Sequence, residues 1–133
     1  MKTKVMIVDD EPDVLESLKQ ILEKQDYDVI TANDGFECLK KVEEGFKGII
    51  LMDIMMPEMS GWDTIRKIVE NDYAKNVEIE IISARGINEH KNMGQLEPYI
   101  YDYLNKPIDI NELIKSVKKC TAYLYAKNSE KDF

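Results

Sequence analysis

Five side chains, each at the end of an apolar run, carry the chemistry in this sequence. KVMIV (4–8) ends in an acid doublet, Asp9–Asp10, with Glu11 next, and GIILM (48–52) ends in Asp53. VEIEII (77–82) ends in Ser83, followed by the small Ala84, and YIYDYLN (99–105) ends in Lys106, followed by Pro107. Clustered carboxylates repel one another, and their pKa values rise unless a cation neutralises them. Oxygen ligands of high charge with open positions favour Mg²⁺, which keeps several waters and usually also binds phosphate. A carboxylate can also act as a nucleophile and carry an aspartyl phosphate. Phosphoryl transfer then needs a metal on the phosphoryl oxygens, a lysine on another and a hydroxyl donor on the last. Asp53, central and solitary, suits the nucleophile, and Asp9–Asp10 suits the metal.

For these residues to cooperate, the chain must bring the ends of its apolar runs together. β-rich runs at 4–9, 27–32, 48–53, 77–83 and 99–104 alternate with amphipathic stretches, the pattern of βαβ units on a parallel sheet. The first helix places Val14, Leu15, Leu18, Ile21 and Leu22 on one face, with Pro12 near its first turn. Asn33 or Asp34 caps a second helix carrying Phe36, Leu39 and Val42, and Gly45 stops it. Ser60 with Asp63 makes a capping-box-like start for a third helix, whose Ile65, Ile68 and Val69 face inward. Residues 86–98 read as a weak helix with Gly94 inside it. Asp109 caps a last helix with Ile110, Leu113, Ile114, Val117 and Leu124 on one face. Glu78 and Glu80 are unusual in a strand covered on both faces. Five strands alternating with five helices give a doubly wound sheet, whose ligands bind at the carboxyl ends of the strands. Helix caps and solvated loop ends explain one or two of the five polar residues. They explain poorly an acid doublet, a lone acid and a lysine on one edge.

The bulk numbers fit this architecture. The chain has 133 residues, 44% hydrophobic and 33% charged, which is enough for one domain with a real core. A net charge of −8 excludes non-specific binding to nucleic acid phosphates and does not suit an anionic membrane surface. No apolar run reaches the roughly 20 residues of a membrane span, and the start MKTKVMIVDDEPD is too short and acidic for a signal peptide. A cytoplasmic location and a natural N-terminus are expected. Cys38 and Cys120 sit inside helical patterns without metal-type spacing and read as buried reduced thiols. His90, the only histidine, lies in a polar stretch and reads as a surface residue.

Four motifs in order, IVDDEP, DIMMPEMSG, IISAR and DYLNKP, make the sequence resemble the receiver domain of two-component response regulators over residues 3–126. The resemblance implies a flavodoxin-like α/β fold, a doubly wound (βα)5 parallel five-stranded sheet of order 2-1-3-4-5, with a receiver over 1–126 and a polar tail over 127–133. It implies that Asp53 accepts a phosphoryl group from a phosphohistidine on a sensor histidine kinase or histidine phosphotransfer protein. Asp10 would bind Mg²⁺ directly, Asp9 directly or through water, and the Met55 backbone carbonyl would complete the protein ligands. Lys106 would pair with the phosphoryl group, Ser83 would hydrogen-bond one of its oxygens, and Tyr103 would turn inward behind Ser83. Such coupling makes a switch, in which one covalent charge biases a two-state loop and aromatic. Met56, Pro57 and Gly61 would shape the loop over the site, and Pro107 resembles the family's cis proline. Met55 and Arg85 stand at the two positions that in the family flank the phosphoryl group and help set its lifetime.

The run LEPYIYDYL departs from the family pattern, carrying Pro98 and an extra residue where a small Gly-Ala pair is usual. Tyr99, Tyr101, Tyr103, Tyr123 and Tyr125 gather near the fifth strand and last helix. Tyrosine is favoured at interfaces, and dimerisation through the fourth helix–fifth strand–fifth helix face is one expectation. The sequence names no output protein, and a DNA-binding output is not expected of this chain. An aspartate-nucleophile phosphatase of the haloacid-dehalogenase type is the alternative. It would want a second acid two residues after the nucleophile, where Met55 stands. A flavodoxin-like cofactor binder would want a glycine- and hydroxyl-rich loop where DDEPD stands. The chain therefore reads as a signalling switch that catalyses only its own phosphorylation and dephosphorylation.

Overall fold

Strict alternation of apolar side chains along the strands builds a two-sided core. A computed structural model describes residues 2–84 and 94–131, the last three by backbone only. The strands are β1 (Lys4–Val8), β2 (Asp28–Ala32), β3 (Gly48–Asp53), β4 (Val77–Ser83) and β5 (Ile100–Asn105). They form one parallel sheet of order β2-β1-β3-β4-β5, the order expected. The described α-helices are α1 (Pro12–Lys24), α2 (Gly35–Glu43), α3 (Gly61–Glu70) and α4 (Ile110–Lys131). Val5, Ile7, Ile49 and Leu51 point to one face, where α1 and α4 cover them with Leu18, Leu22, Leu113 and Val117. Met6, Val8, Ile50 and Met52 point to the other, against Cys38 and Val42 of α2 and Ile65 and Ile68 of α3. Burying each such aliphatic side chain contributes about 1.5–3 kcal/mol, so the core, rather than helix propensity, holds the layers together.

The caps fall where the polar residues predict. The Asp34 side chain accepts from the Glu37 N–H at 2.8 Å. Ser60 and Asp63 form a reciprocal capping box at the start of α3. Asp109 accepts from the Glu112 N–H at 3.0 Å. Both cysteines are free and buried.

Four local expectations need correction or limits. Phe36, expected inside, is 53% exposed, because Gly35, Cys38 and Val42 form the inward face of α2. Ile110, also expected inside, is 53% exposed, one turn before the first fully buried residue of its helix, Leu113. The expected tail is helical through Lys131, and Lys127 reaches Glu78 at 3.0 Å, which gives this stretch a reason to stay docked. Most of the helix expected over 86–98, with Arg85 and His90, lies outside the described residues. Its end is a turn at 94–96 and a 3-10 turn at Glu97–Tyr99.

The register between β4 and β5 is broken by a bulge at the start of β5. Ile79 pairs with Ile100, but Glu80 pairs with Asp102, so Tyr101 has no partner of its own in the ladder. Beyond it the register runs on to Ser83 opposite Asn105. The two glutamates of β4 face α4, where Glu78 meets Lys127 and Glu80 meets Ser116.

Candidate functional site

The carboxyl ends of β1, β3, β4 and β5 bring the polar residues to one edge. One carboxylate oxygen each of Asp9, Asp10 and Asp53 lies within 4.8 Å of the others. Asp53 ends the central strand at 2% exposure, and its backbone is clamped on both sides. The next residue, Ile54, donates to the Ile82 carbonyl at 3.1 Å and accepts from the Gly61 N–H at 2.9 Å. Gly61 is required there. A Cβ at that position would stand 2.3 Å from the Asp53 carbonyl oxygen and 2.9 Å from Ile54 Cα, both backbone atoms that cannot step aside. Pro57 shapes the intervening turn, its carbonyl accepting from Met59 N–H at 2.7 Å, and Glu58 turns the chain at φ 66.

Lys106 is the cation of the site. Its Nζ lies 3.0 Å from Asp9 Oδ2, 3.7 Å from Asp53 Oδ1 and 3.9 Å from Glu11 Oε1. The Lys106–Pro107 peptide is cis, and the Lys106 N–H donates to the Ser83 carbonyl at 2.8 Å, tying the ends of β4 and β5 together. Buried Asp9 is fully engaged, with Oδ1 accepting from the Glu11 N–H at 2.9 Å and Oδ2 from Lys106. Asp10 is exposed and open. Asp53 Oδ1 takes the Met55 N–H at 3.3 Å as well as the Lys106 contact, and Oδ2 is engaged by neither.

Burial pushes the Asp53 carboxyl up to about 6, the Asp9 charge adds to the rise, and Lys106 and the Met55 N–H offset part of it. Lys106 is raised despite its burial, because it bonds Asp9 and faces Asp53. A site that holds three carboxylates around one lysine remains short of positive charge, and the oxygen donors with one open acid suit a divalent cation.

Ser83 is buried at the end of β4, one residue beyond the register partner of Asp53. Tyr103 is half-buried on β5, and its hydroxyl donates to Glu97 Oε1 at 2.6 Å. Burial first, and then this carboxylate, hold the phenol well above its usual range. Glu97 was not singled out by the sequence, since only the 3-10 turn brings it beside Tyr103. Met55 points its side chain outward at 58% exposure. Arg85 lies outside the described residues. Beside Lys106, Val14, Leu18, Ile21, Pro107, Ile108 and Ile110 line a groove of about 420 Å³ between α1 and the start of α4.

The model of the response regulator receiver domain family matches residues 5–118. The chain belongs to that family. A receiver domain protein (CheY-like) from Methanospirillum hungatei JF-1 has a crystal structure similar to this one, with TM-score 0.85, 36% identity, and coverage of 92% of this chain and 97% of that one. The response regulator TrrA from Thermotoga maritima, solved in complex with Mg²⁺ and BeF, gives TM-score 0.76 and 30% identity over 90% of this chain and 99% of its own. A transcriptional regulatory protein CpxR homolog from Haemophilus influenzae is 37% identical over 87% of this chain. The chain spans about half of that regulator, 49% of its length. The receiver fold places this protein in phosphorylation-based two-component signalling, and the phosphatase alternative is not favoured. Among the described residues no helix is long and apolar enough to cross a membrane.

Proposed function

We propose that this receiver takes a phosphoryl group on Asp53 from a phosphohistidine of a partner kinase or phosphotransfer protein. A free Asp53 oxygen attacks phosphorus, the P–N bond to the imidazole breaks, and the imidazole leaves with the bonding pair and takes up a proton. The observation that carries this reading is the convergence of Asp9, Asp10 and Asp53 within 4.8 Å, with Lys106 beside them. Asp10 and Asp53, with Asp9 and the Met55 carbonyl, would hold Mg²⁺, as the metal in the TrrA complex also suggests. When bound, the cation supplies charge neutralisation for the phosphoryl oxygens. Lys106 pairs with the phosphoryl group, and Ser83 donates to it from the end of β4. Tyr103 must give up its bond to Glu97 to follow Ser83 inward, so the switch exchanges one hydrogen bond for another arrangement.

The apolar groove beside Lys106 gives the donor protein a seat next to the acceptor. The altered face of β5 and α4, with Tyr99, Tyr123 and Tyr125 exposed, would engage an output protein or a second copy. Such a role is that of a switch in the cytoplasm and needs no turnover of external substrates. Incubation with acetyl phosphate and Mg²⁺, followed by intact-mass measurement, tests the acceptor. One phosphoryl adduct that disappears in Asp53→Asn is expected. No adduct, or one that persists in the variant, overturns the assignment.

A further inference from the structure

A second cluster of acids lies away from the phosphorylation edge, between β4, β5 and α4. Glu80 is fully buried. Its register partner across the sheet is another acid, Asp102. Like charges directly opposite on neighbouring strands are destabilising, and both side chains meet the same hydroxyl. Ser116 Oγ is within hydrogen-bonding reach of Glu80 Oε1 and lies 2.8 Å from Asp102 Oδ2. A serine hydroxyl carries one hydrogen, and an ionised carboxylate can only accept. With both acids charged, one of these two contacts would set lone pair against lone pair. A proton on one carboxyl satisfies both.

We propose that Glu80 carries this proton in the folded protein at neutral pH, so that Glu80, Ser116 and Asp102 form a directional clasp fastening α4 and the bulged part of β5 to β4. Glu80 donates to Ser116, and Ser116 donates to Asp102. The assignment to Glu80 follows from exposure. Asp102 reaches water and Glu80 does not. The second Glu80 oxygen, Oε2, is buried without a hydrogen-bond partner, which a neutral carboxyl tolerates far better than a charged one.

Among the described residues, the groups that face Glu80 supply no compensating cation. On β4, Glu78 is itself an acid and takes the Lys127 ammonium of α4 at 3.0 Å. β5 contributes Asp102 and Tyr101, α4 contributes Cys120, and Tyr27 before β2 bonds Thr121 of α4 at 3.0 Å. Burial pushes the Glu80 carboxyl up to about 7; the Ser116 bond lowers it and the Asp102 charge raises it. Loss of the proton above that range leaves two carboxylates and one hydroxyl hydrogen, and the clasp loses one of its two bonds. β4 ends in Ser83 and β5 leads directly into Lys106, so the clasp bears on the same β4–β5 register that sets those two residues. The inference does not depend on Asp53 being the acceptor.

The test is a pH titration of the full chain with glutamate side-chain carboxyls labelled with ¹³C. The Glu80 resonance, identified by its loss in Glu80→Gln, is expected to titrate with a midpoint of about pH 7 or above. A midpoint clearly below about pH 7, which would leave Glu80 mostly ionised at neutral pH, overturns the proposal. Asp102→Asn removes the negative neighbour and should lower the midpoint; an unmoved midpoint overturns the coupling, and the Asp102→Asn spectra also identify the resonance should Glu80→Gln not fold. Hydrogen exchange across residues 113–120 gives an independent reading. Corrected for intrinsic chemistry, opening of this stretch should rise roughly tenfold from pH 6 to pH 8 in the wild type. In Glu80→Gln, where an amide N–H stands in for the proton, it should not rise. Unchanged opening in the wild type, or the same rise in the variant, also overturns the proposal.

Discussion

Asp53→Asn should make this protein more stable while removing its acceptor, and the size of the effect follows from the site. In the fold the Asp53 carboxyl holds its proton to about pH 6, against an ordinary value of 3.8. The folded state therefore binds more protons than the unfolded chain between those values, and its stability falls as pH rises through that window. At about 1.4 kcal/mol per pH unit, the full cost of ionising Asp53 above pH 6 is about 3 kcal/mol. Asparagine keeps the acceptor for the Met55 N–H and never ionises. Water at the open edge screens the charges, so a gain of about 1–2 kcal/mol at pH 7 is expected, falling to about half of that at pH 5. The assay is urea unfolding followed by circular dichroism in metal-free buffer at both pH values. The Glu80 contribution is common to the two proteins and drops out of the difference. Added Mg²⁺ should then favour the wild type, by about 1.4 kcal/mol at ten times its dissociation constant, and the variant less. A variant no more stable than the wild type at pH 7, or a gain that does not shrink toward pH 5, would refute the charge-crowding argument.

Three further substitutions probe the frame of the site. Lys106→Ala strips the cation from buried Asp9 and Asp53, and should cost about 2–3 kcal/mol in metal-free unfolding at pH 7, less at pH 5. Gly61→Ala drives a methyl into the backbone of Asp53 and Ile54 and should cost about 2–4 kcal/mol. The control Gly94→Ala, where a Cβ meets none of the described residues within 4 Å, should stay within about 0.5 kcal/mol of wild type. Ser60→Ala removes one half of the capping box and should lower stability by about 1 kcal/mol in thermal or urea unfolding; no change would mean that Asp63 alone satisfies the end of α3.

What was legible in the sequence followed from periodicity and from polar residues at the ends of apolar runs. The continuous apolar run of GIILMD is enough to predict a central strand with Asp53 at its open end. Ser60 and Asp63 announce the start of α3 through the chemistry of two orphan N–H groups. Glu78 and Glu80 were the residues that alternation could not place. A strand covered on both faces predicts apolar side chains, and only the approach of α4 supplies Lys127 and Ser116 as partners. Those partners lie 49 and 36 residues away in the chain, beyond any local pattern. The same limit hid Glu97, whose relation to Tyr103 exists only because a 3-10 turn precedes β5. Phe36 and Ile110 misled for the opposite reason. Apolar spacing marks a helix face, but which end of that face reaches the sheet depends on how the helix enters.

The pairing of Lys127 with Glu78 has a practical consequence for where this folding unit ends. Judged by apolar packing, the unit could stop at Cys120, the last fully buried side chain of α4. Judged by charge, it reaches on to Lys127. Glu78 is 9% exposed near the start of β4, and its counter-ion stands seven residues beyond Cys120 along the helix. A shortened version closing at residue 126 would keep every fully buried hydrophobic side chain and still strand a carboxylate inside. An ammonium group thus ties the exposed last turns of α4 back to the sheet, where apolar packing has already ended.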